Sequence, residues 1–272
     1  MGKMTEAPVA KRPASEAADM FAPLLAQIPG MDQKTYLEWV HTPFDFPTDP
    51  KTGKVRLARL FKWDFCEMFS HTVWWVVPLV WVPVATLGLC SWAVMNGRDP
   101  ALLAMLTVGG ILLWWVIEYS LHRFIFHMDE NLPNHPVART IHFLLHGVHH
   151  KVPMDRFRLV MPPVLLSVLA LSVYPVVRAI FFAMPLDLFH YLFGVALLGY
   201  VGYDVFHYSF HFLSVESLPG FIGDSVLYLK HYHLKHHYDN HHLGYGITTV
   251  TFDRFLGTEI PASRMPKLKK AA

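Results

Sequence analysis

Four long apolar stretches dominate the pattern of hydrophobic and polar positions along the chain. They lie near residues 72–94, 101–119, 161–182 and 186–205. An α-helix needs about 20 apolar residues to cross roughly 30 Å of hydrocarbon, and each stretch is about that long. The pattern therefore predicts four transmembrane helices. A soluble helical bundle with entirely apolar core helices is the alternative.

Short polar turns join these stretches in pairs. The sequence MNGRDP (95–100) separates the first two stretches, and AMPLD (183–187) separates the last two. Of the 23 Lys and Arg residues, Arg98 and Arg178 are the two in or beside these turns. The others lie in the N-terminal, central and C-terminal segments, which two antiparallel hairpins would bring to one face. Because cytosolic loops carry an excess of Lys and Arg, that face is predicted to be cytosolic.

Composition supports a membrane protein. Hydrophobic residues make up 53% of the 272 residues and charged residues 16%, whereas about 25% is usual in soluble domains. The net charge of +2 gives no reason to expect a nucleic-acid partner, and the two cysteines give no disulfide framework. We divide the chain into a disordered or amphipathic N-terminal lead (1–35), a membrane domain with a cytosolic cap (36–258) and a basic C-terminal tail (259–272).

Histidine carries the chemical signal. Fifteen of the 18 histidines fall in two blocks, 122–150 and 207–242, both on the predicted cytosolic side. Residues three and four positions apart share a helix face, and the spacings H-x4-H, H-x2-H-H, H-x3-H and again H-x2-H-H recur in these blocks. This repetition favours a metal site over a tag or a pH switch. The predicted ligands are His122, His127, His146, His149, His150, His207, His211, His233, His236 and His237.

Ten imidazoles exceed the four ligands of a structural zinc site, so the pattern predicts two metal ions in an all-α protein. Imidazole suits iron, zinc, copper and nickel alike. Because a ligating histidine usually gives its second nitrogen to a carboxylate or carbonyl, Glu118 and Asp204, one turn before His122 and His207, are candidate outer partners. His142 and His241 are further candidates. The aromatic residues that could line a substrate cleft are Tyr203, Tyr208, Phe210 and Tyr232, and no separate acid or base is assigned.

The same segments resemble a known family. EYSLHRFIFH, HFLLHGVHHKVPMDRFRLVMPP, GYDVFHYSFHF, KHYHLKHHY and GYGITTVTFDRFLGT are similar to the fatty acid 2-hydroxylases of the fatty acid hydroxylase superfamily, from about residue 39 to residue 258. The resemblance implies an O2-dependent dimetal monooxygenase that hydroxylates C2 of long-chain acyl groups, free or in ceramide. It also implies iron in the active enzyme, with zinc in purified protein, and the same ten histidines as ligands.

The resemblance carries expectations about partners and location. Residues 1–35 are too short for the haem-binding cytochrome domain of fungal and animal members, so the plant-type form is indicated. Electrons are then expected from a separate cytochrome or ferredoxin with its reductase. Lys269 and Lys270 near the C-terminus resemble an endoplasmic-reticulum dilysine signal, and in a bacterium the inner membrane is expected instead.

Three other functions stay open on the sequence alone. A sterol or carotenoid oxidase of the same superfamily shares the histidine pattern. A membrane metal transporter or sensor would place polar ligands at mid-membrane, and these spans carry few. A zinc hydrolase would need an HExxH-like base, and the chain has no HExxH sequence.

Overall fold

The computed structural model describes residues 17–48, 55–214 and 220–266. These residues are mostly helical, and their β structure is limited to one antiparallel bridge between Thr48 and Val55. The longer helices are α1 (Leu24–Gln27), α2 (Gln33–Val40), α3 (Asp64–Met68), α4 (Val76–Met95), α5 (Pro100–Phe126), α6 (Pro136–His142, Phe143–Gly147 and Val148–Lys151 in succession), α7 (Pro163–Ile180), α8 (Leu186–Phe212), α9 (Gly220–Tyr238) and α10 (Thr251–Leu256).

Helices α4, α5, α7 and α8 are long and apolar enough to span a membrane, which confirms the four predicted spans. Two of them extend further than the hydropathy pattern indicates. Helix α5 continues from the predicted end at 119 to Phe126, and α8 continues from 205 to Phe212. The extra turns are less apolar because they carry histidines, but the backbone stays helical and points those histidines into the protein.

Helix α8 is the central helix of the bundle. In its apolar window 61% of the residues are buried, against 11–22% in the other three spanning helices. A Cβ added to Gly110 would lie 2.6 Å from Val195, and one added to Gly199 would lie 2.6 Å from Trp114. Small residues let helix backbones approach closely in a membrane, so these two glycines set the close packing of α5 against α8. Gly110 contacts Val195, and four residues further along both helices Trp114 contacts Gly199. Residue numbers therefore rise together, and α5 and α8 run in the same direction.

Wider π-helical turns interrupt three helices, at Val84–Cys90 in α4, Leu121–Phe126 in α5 and Phe143–Gly147 in α6. The amide of His127 donates to the carbonyl of His122 at 3.0 Å, the i to i+5 bond that defines such a turn. This turn brings residues five apart onto one face, which an ordinary α-helix would not do. The H-x4-H spacing therefore depends on a local departure from α-helical geometry.

The N-terminal segment packs against α6 to form a cap at the end of the bundle. Leu24, Ile28 and Trp39 are fully buried in one hydrophobic cluster with Phe143 and Val148. A disordered lead is therefore wrong for residues 17–35, because burying this apolar surface stabilises an ordered segment. Residues 1–16 lie outside the described chain.

The C-terminal segment is also partly packed. Ile260, at the start of the predicted basic tail, is 3% exposed and clusters with Tyr232 and Val250. The dilysine positions Lys269 and Lys270 lie outside the described residues.

Candidate metal centre

Ten histidines converge in two groups where α5, α6, α8 and α9 meet. Within each group one nitrogen per histidine lies within 4.8 Å of all the others. Group 1 consists of His122, His127, His146, His150 and His236, and group 2 consists of His149, His207, His211, His233 and His237. These are the ten residues that the spacing predicts, brought together from segments more than a hundred positions apart.

Two helices each supply both groups. Helix α6 gives His150 to group 1 and His149 to group 2, and α9 gives His236 to group 1 and His237 to group 2. Consecutive helical residues point about 100° apart, so one helix between the groups can serve both. The rings of His150 and His237 stack at 4.2 Å between centroids, which makes the groups direct neighbours.

The nitrogen spacing fits metal coordination. Facing Nε2 atoms lie 3.1 Å apart for His122 and His146, 3.1 Å for His150 and His146, and 3.0 Å for His236 and His127. Two nitrogens at right angles around a metal about 2.1 Å away would be about 3 Å apart. A neutral imidazole has one proton and one lone pair, so five converging nitrogens cannot all hydrogen-bond one another. A shared cation would satisfy them together.

Group 2 has the same spacing. Nε2 of His207 lies 2.8 Å from Nε2 of His149, and Nε2 of His211 lies 2.9 Å from Nε2 of His233. All ten rings are at least nine-tenths buried. Either group could hold a metal ion.

Burial also favours the form of histidine that binds metals. It lowers the pKa of His146, His149 and His150 in α6 and of His236 and His237 in α9, and neighbouring imidazoles lower each pKa further. These rings are therefore neutral at neutral pH. Neutral imidazole is the form that donates a lone pair to a metal.

Two backbone carbonyls orient group 1 from behind. Nδ1 of His122 lies 2.5 Å from the carbonyl oxygen of Tyr245, and Nδ1 of His236 lies 2.8 Å from that of Leu243. Such contacts place the proton on Nδ1 and leave the Nε2 lone pair facing the group. Both carbonyls belong to the loop between α9 and α10.

Two buried carboxylates fix that loop. Glu118 accepts hydrogen bonds from the amides of Ile247 (2.7 Å) and Thr248 (2.9 Å), and Asp253 accepts from those of Tyr245 (2.9 Å) and Gly246 (2.8 Å). The prediction that Glu118 directly partners His122 is therefore wrong. Glu118 supports His122 indirectly. Its carboxylate holds the loop whose Tyr245 carbonyl contacts His122.

Asp204 is also engaged elsewhere. Its Oδ2 accepts from the Tyr200 hydroxyl at 2.9 Å and from the Met161 amide at 3.3 Å. It thus ties α8 to the start of α7, and the predicted bond to His207 is not formed. The helical turn directs the two side chains to different neighbours.

A further carboxylate, which sequence spacing does not single out, lies behind His127. Asp129 Oδ2 is 3.5 Å from His127 Nδ1, and its Oδ1 is 3.2 Å from His142 Nε2 and 3.0 Å from His41 Nε2. The ring of His241 stacks on His41 at 3.7 Å. His142 therefore contacts the surroundings of His127 through Asp129, and His241 does so through His41. His41, which is not among the ten predicted ligands, has a side chain only 7% exposed.

A cavity of about 540 Å³ reaches both histidine groups. Its wall includes His146 of group 1 and His149 and His207 of group 2, and most of the remaining lining is apolar. Val164 and Val168 of α7 line it and are 74% and 59% exposed, so it opens at the apolar outer surface of the bundle. Such a shape suits a long apolar chain.

Of the four aromatic cleft candidates, Tyr203 lines this cavity and a narrower crevice between α5, α7 and α8. Its ring stacks on His207 at 5.7 Å. The other three pack elsewhere: Tyr208 against Trp74, Phe210 against His233, and Tyr232 against Tyr228, with its hydroxyl accepting from Ile260. Aromatic residues at a helix interface serve packing as readily as substrate binding, and the sequence does not separate the two.

The fold and site define a class: an integral membrane helical protein with a buried pair of histidine groups suited to metal binding. A comparison with known families narrows it, since the model of the family described as fatty acid hydroxylase matches residues 107–258. The chain belongs to the fatty acid hydroxylase family.

Individual relatives agree. The chain is 39% identical to the ceramide very long chain fatty acid hydroxylase of Saccharomyces cerevisiae, over 91% of this chain and 61% of that protein. It is 35% identical to a dihydroceramide fatty acyl 2-hydroxylase of Arabidopsis thaliana, over 93% of this chain and 95% of that protein. A solved structure of full-length scs7p, in which only the hydroxylase domain is visible, superposes with a TM-score of 0.78 at 36% identity, covering 92% of this chain and 88% of that one. The chain thus spans less than two thirds of the yeast relative and nearly all of the plant one.

Proposed function

We propose that the protein is a fatty acid 2-hydroxylase: a membrane monooxygenase that hydroxylates C2 of long-chain fatty acyl groups, free or in ceramide. The observation that carries the proposal is the apolar cavity that ends on both histidine groups. The names of the relatives support the position of attack. The reaction joins one acyl CH2 group, O2, two electrons and two protons to give CHOH and water.

We propose that groups 1 and 2 each hold one metal ion through the ten histidines, and that iron is the metal in the active enzyme while zinc can replace it in purified protein. A bound redox-active pair would supply dioxygen activation and removal of hydrogen from the acyl carbon. The protein orients the imidazoles through the Tyr245 and Leu243 carbonyls and keeps the rings neutral by burial.

The cavity residues do the positioning. Apolar side chains of α6 and α7, among them Leu144, Leu145 and Leu165, would pack along the acyl chain and exclude water from its reacting end. Tyr203 stacks on His207 and lies at the point where the acyl chain would meet group 2. Because C2 adjoins the head of a lipid, the head would stay toward the cap while the tail extends toward the spanning helices.

We also propose the membrane arrangement. The spans form two antiparallel hairpins, α4 with α5 and α7 with α8, and the metal centre faces the cytosol. Contacts of α4 and α7 with α8 support this: Cys90 lies near Gly194 while Trp74 lies near Tyr208, and Tyr174 bonds His190. The positive charge of the cap segments supports the cytosolic face. The membrane would be the endoplasmic reticulum in a eukaryote and the inner membrane in a bacterium.

The two electrons require a donor, and we propose a cytochrome or ferredoxin with its reductase. The proposed catalytic unit covers residues 36–258, together with the packed part of residues 17–35.

Protease protection of tags placed before α1 and between α4 and α5 would test the orientation of the spans in the membrane. The hairpin proposal predicts opposite protection of the two tags, and finding both tags on one side would contradict it.

Lipid analysis tests the reaction. The chain and a His236→Ala, His237→Ala variant are expressed in a host that lacks 2-hydroxy acyl lipids, with a working electron donor. Chains oxygenated at C2 should appear with the parent and be absent with the variant. Oxygenated sterol or carotenoid and unchanged acyl chains would replace the proposal with another reaction of the same superfamily.

A further inference from the structure

The two histidine groups differ in what lies behind them. In group 1, His122 and His236 have carbonyl partners, and His127 faces the carboxylate of Asp129. In group 2, the buried Nδ1 atoms of His149, His211, His233 and His237 make no hydrogen bond within the described part of the chain. Nδ1 of His127 also makes no hydrogen bond, because its contact with Asp129 Oδ2 at 3.5 Å is a charge contact only. The groups therefore differ in the carbonyls behind His122 and His236 and in the carboxylate beside His127.

Asp129 is the one carboxylate that contacts a histidine of either group among the described ion pairs. Its side chain is 7% exposed and sits among three imidazoles of different origin: His41 from the end of α2, His127 from the end of α5 and His142 from α6. A buried negative charge is costly without compensation, so its position between these rings is specific.

The geometry assigns Asp129 a positioning role toward the metal centre: it holds His127 and makes group 1 the tighter of the two metal sites. The inference rests on the proposed dimetal function. With a negative charge 3.5 Å from Nδ1 of His127, the ring favours the tautomer that carries its proton there. The lone pair of Nε2 then faces His236 Nε2, 3.0 Å away in group 1.

The carboxylate is itself held from behind by the cap. Nδ1 of His142 lies 2.7 Å from the Tyr36 hydroxyl, and His41 is clamped by the stacked ring of His241. Tyr36 and His41 belong to or follow α2, outside the residues matched by the family model. The N-terminal segment thus orders group 1 through Asp129, and no equivalent support reaches group 2 in the described residues.

Partners behind a metal ligand typically contribute 10- to 100-fold to metal affinity. Metal should therefore leave the two groups at different rates. The full-length protein, loaded with zinc in detergent, is mixed with excess chelator and a metal indicator. We expect two phases of equal amplitude, a fast phase from group 2 and a slow phase from group 1. His233→Ala should remove the fast phase and keep the slow one.

Asp129→Asn keeps the size of the side chain and removes its charge. The slow phase should become roughly 10- to 100-fold faster, while the fast phase is unchanged. A general loss of packing would accelerate both phases together, so selective acceleration identifies positioning. The matched control is Asp187→Asn, another buried carboxylate, paired with Arg98 at the far end of the bundle. It should alter neither phase.

An unchanged slow phase in Asp129→Asn overturns the inference, as does equal acceleration of both phases. If that variant does not fold, His142→Gln and His41→Phe each remove one contact of Asp129 and should accelerate the slow phase alone. A parent protein that binds fewer than two zinc ions would instead refute the dimetal proposal. Two bound ions with an insensitive slow phase refute only the role of Asp129.

Discussion

Replacing Glu118 by alanine should loosen the metal centre without touching a histidine. Glu118 is 4% exposed and accepts hydrogen bonds from the amides of Ile247 and Thr248 and from the Thr248 hydroxyl. Its removal leaves two backbone N–H groups without an acceptor. Each such group costs about 1–3 kcal/mol, so the loop should lose about 2–6 kcal/mol. That is a large part of the 5–15 kcal/mol that stabilises a typical domain.

The loss should reach the metal because the same loop carries the Tyr245 carbonyl that contacts His122. We expect metal affinity to fall about 10- to 100-fold. Glu118→Gln is the matched control, since its amide oxygen can still accept from both backbone N–H groups and should retain most of the affinity. Metal content after dialysis and thermal unfolding with and without metal are the assays. If the alanine variant binds metal and unfolds like the parent, the loop does not transmit the support of Glu118.

Three further predictions concern packing, the cavity and pH. Gly199→Leu should destabilise the protein by at least about 1–3 kcal/mol, seen as a lower unfolding temperature, because a Cβ would lie 2.6 Å from Trp114; a parent-like temperature would show that α5 and α8 can separate. Val168→Trp, on the cavity wall, should raise KM for long acyl substrates more than it lowers kcat, and an unchanged KM would place the chain elsewhere. Because burial lowers the pKa of the histidines of α6 and α9, the unfolded metal-free chain binds more protons than the folded one below about pH 6.5. The free energy of unfolding of the metal-free protein should therefore fall as the pH drops through that value. A flat profile from pH 7 to 5 in chemical unfolding would contradict this.

The spanning helices and the ten histidines could be predicted because both rest on regular spacing. Apolar length marked α4, α5, α7 and α8, and helical periodicity marked pairs such as His207 and His211. The pair His122 and His127 is different, since its convergence needs a π-helical turn. In an α-helix residues five apart point in different directions, so the sequence spacing alone does not explain why His122 and His127 meet.

Other parts of the site could not be found this way. Asp129 and His41 are single residues without periodic neighbours, and they meet only after the N-terminal segment folds onto α6. The carbonyls of Leu243 and Tyr245 are backbone atoms, which every residue carries, so no residue type marks them. The carboxylates of Glu118 and Asp204 sit at the predicted distance along the helix, but the side chains turn to other partners.

The alternation of ligands along α6 and α9 has a mechanical consequence. His149 and His150 are adjacent yet belong to different groups, and so are His236 and His237. Each helix carries three of the ten histidines, two in one group and one in the other, so sliding or rotating either helix would displace ligands of both groups at once. The distance between the two proposed metal ions is therefore set by helices that both groups share. A shift of α6 or α9 that moved one ion would also move the other.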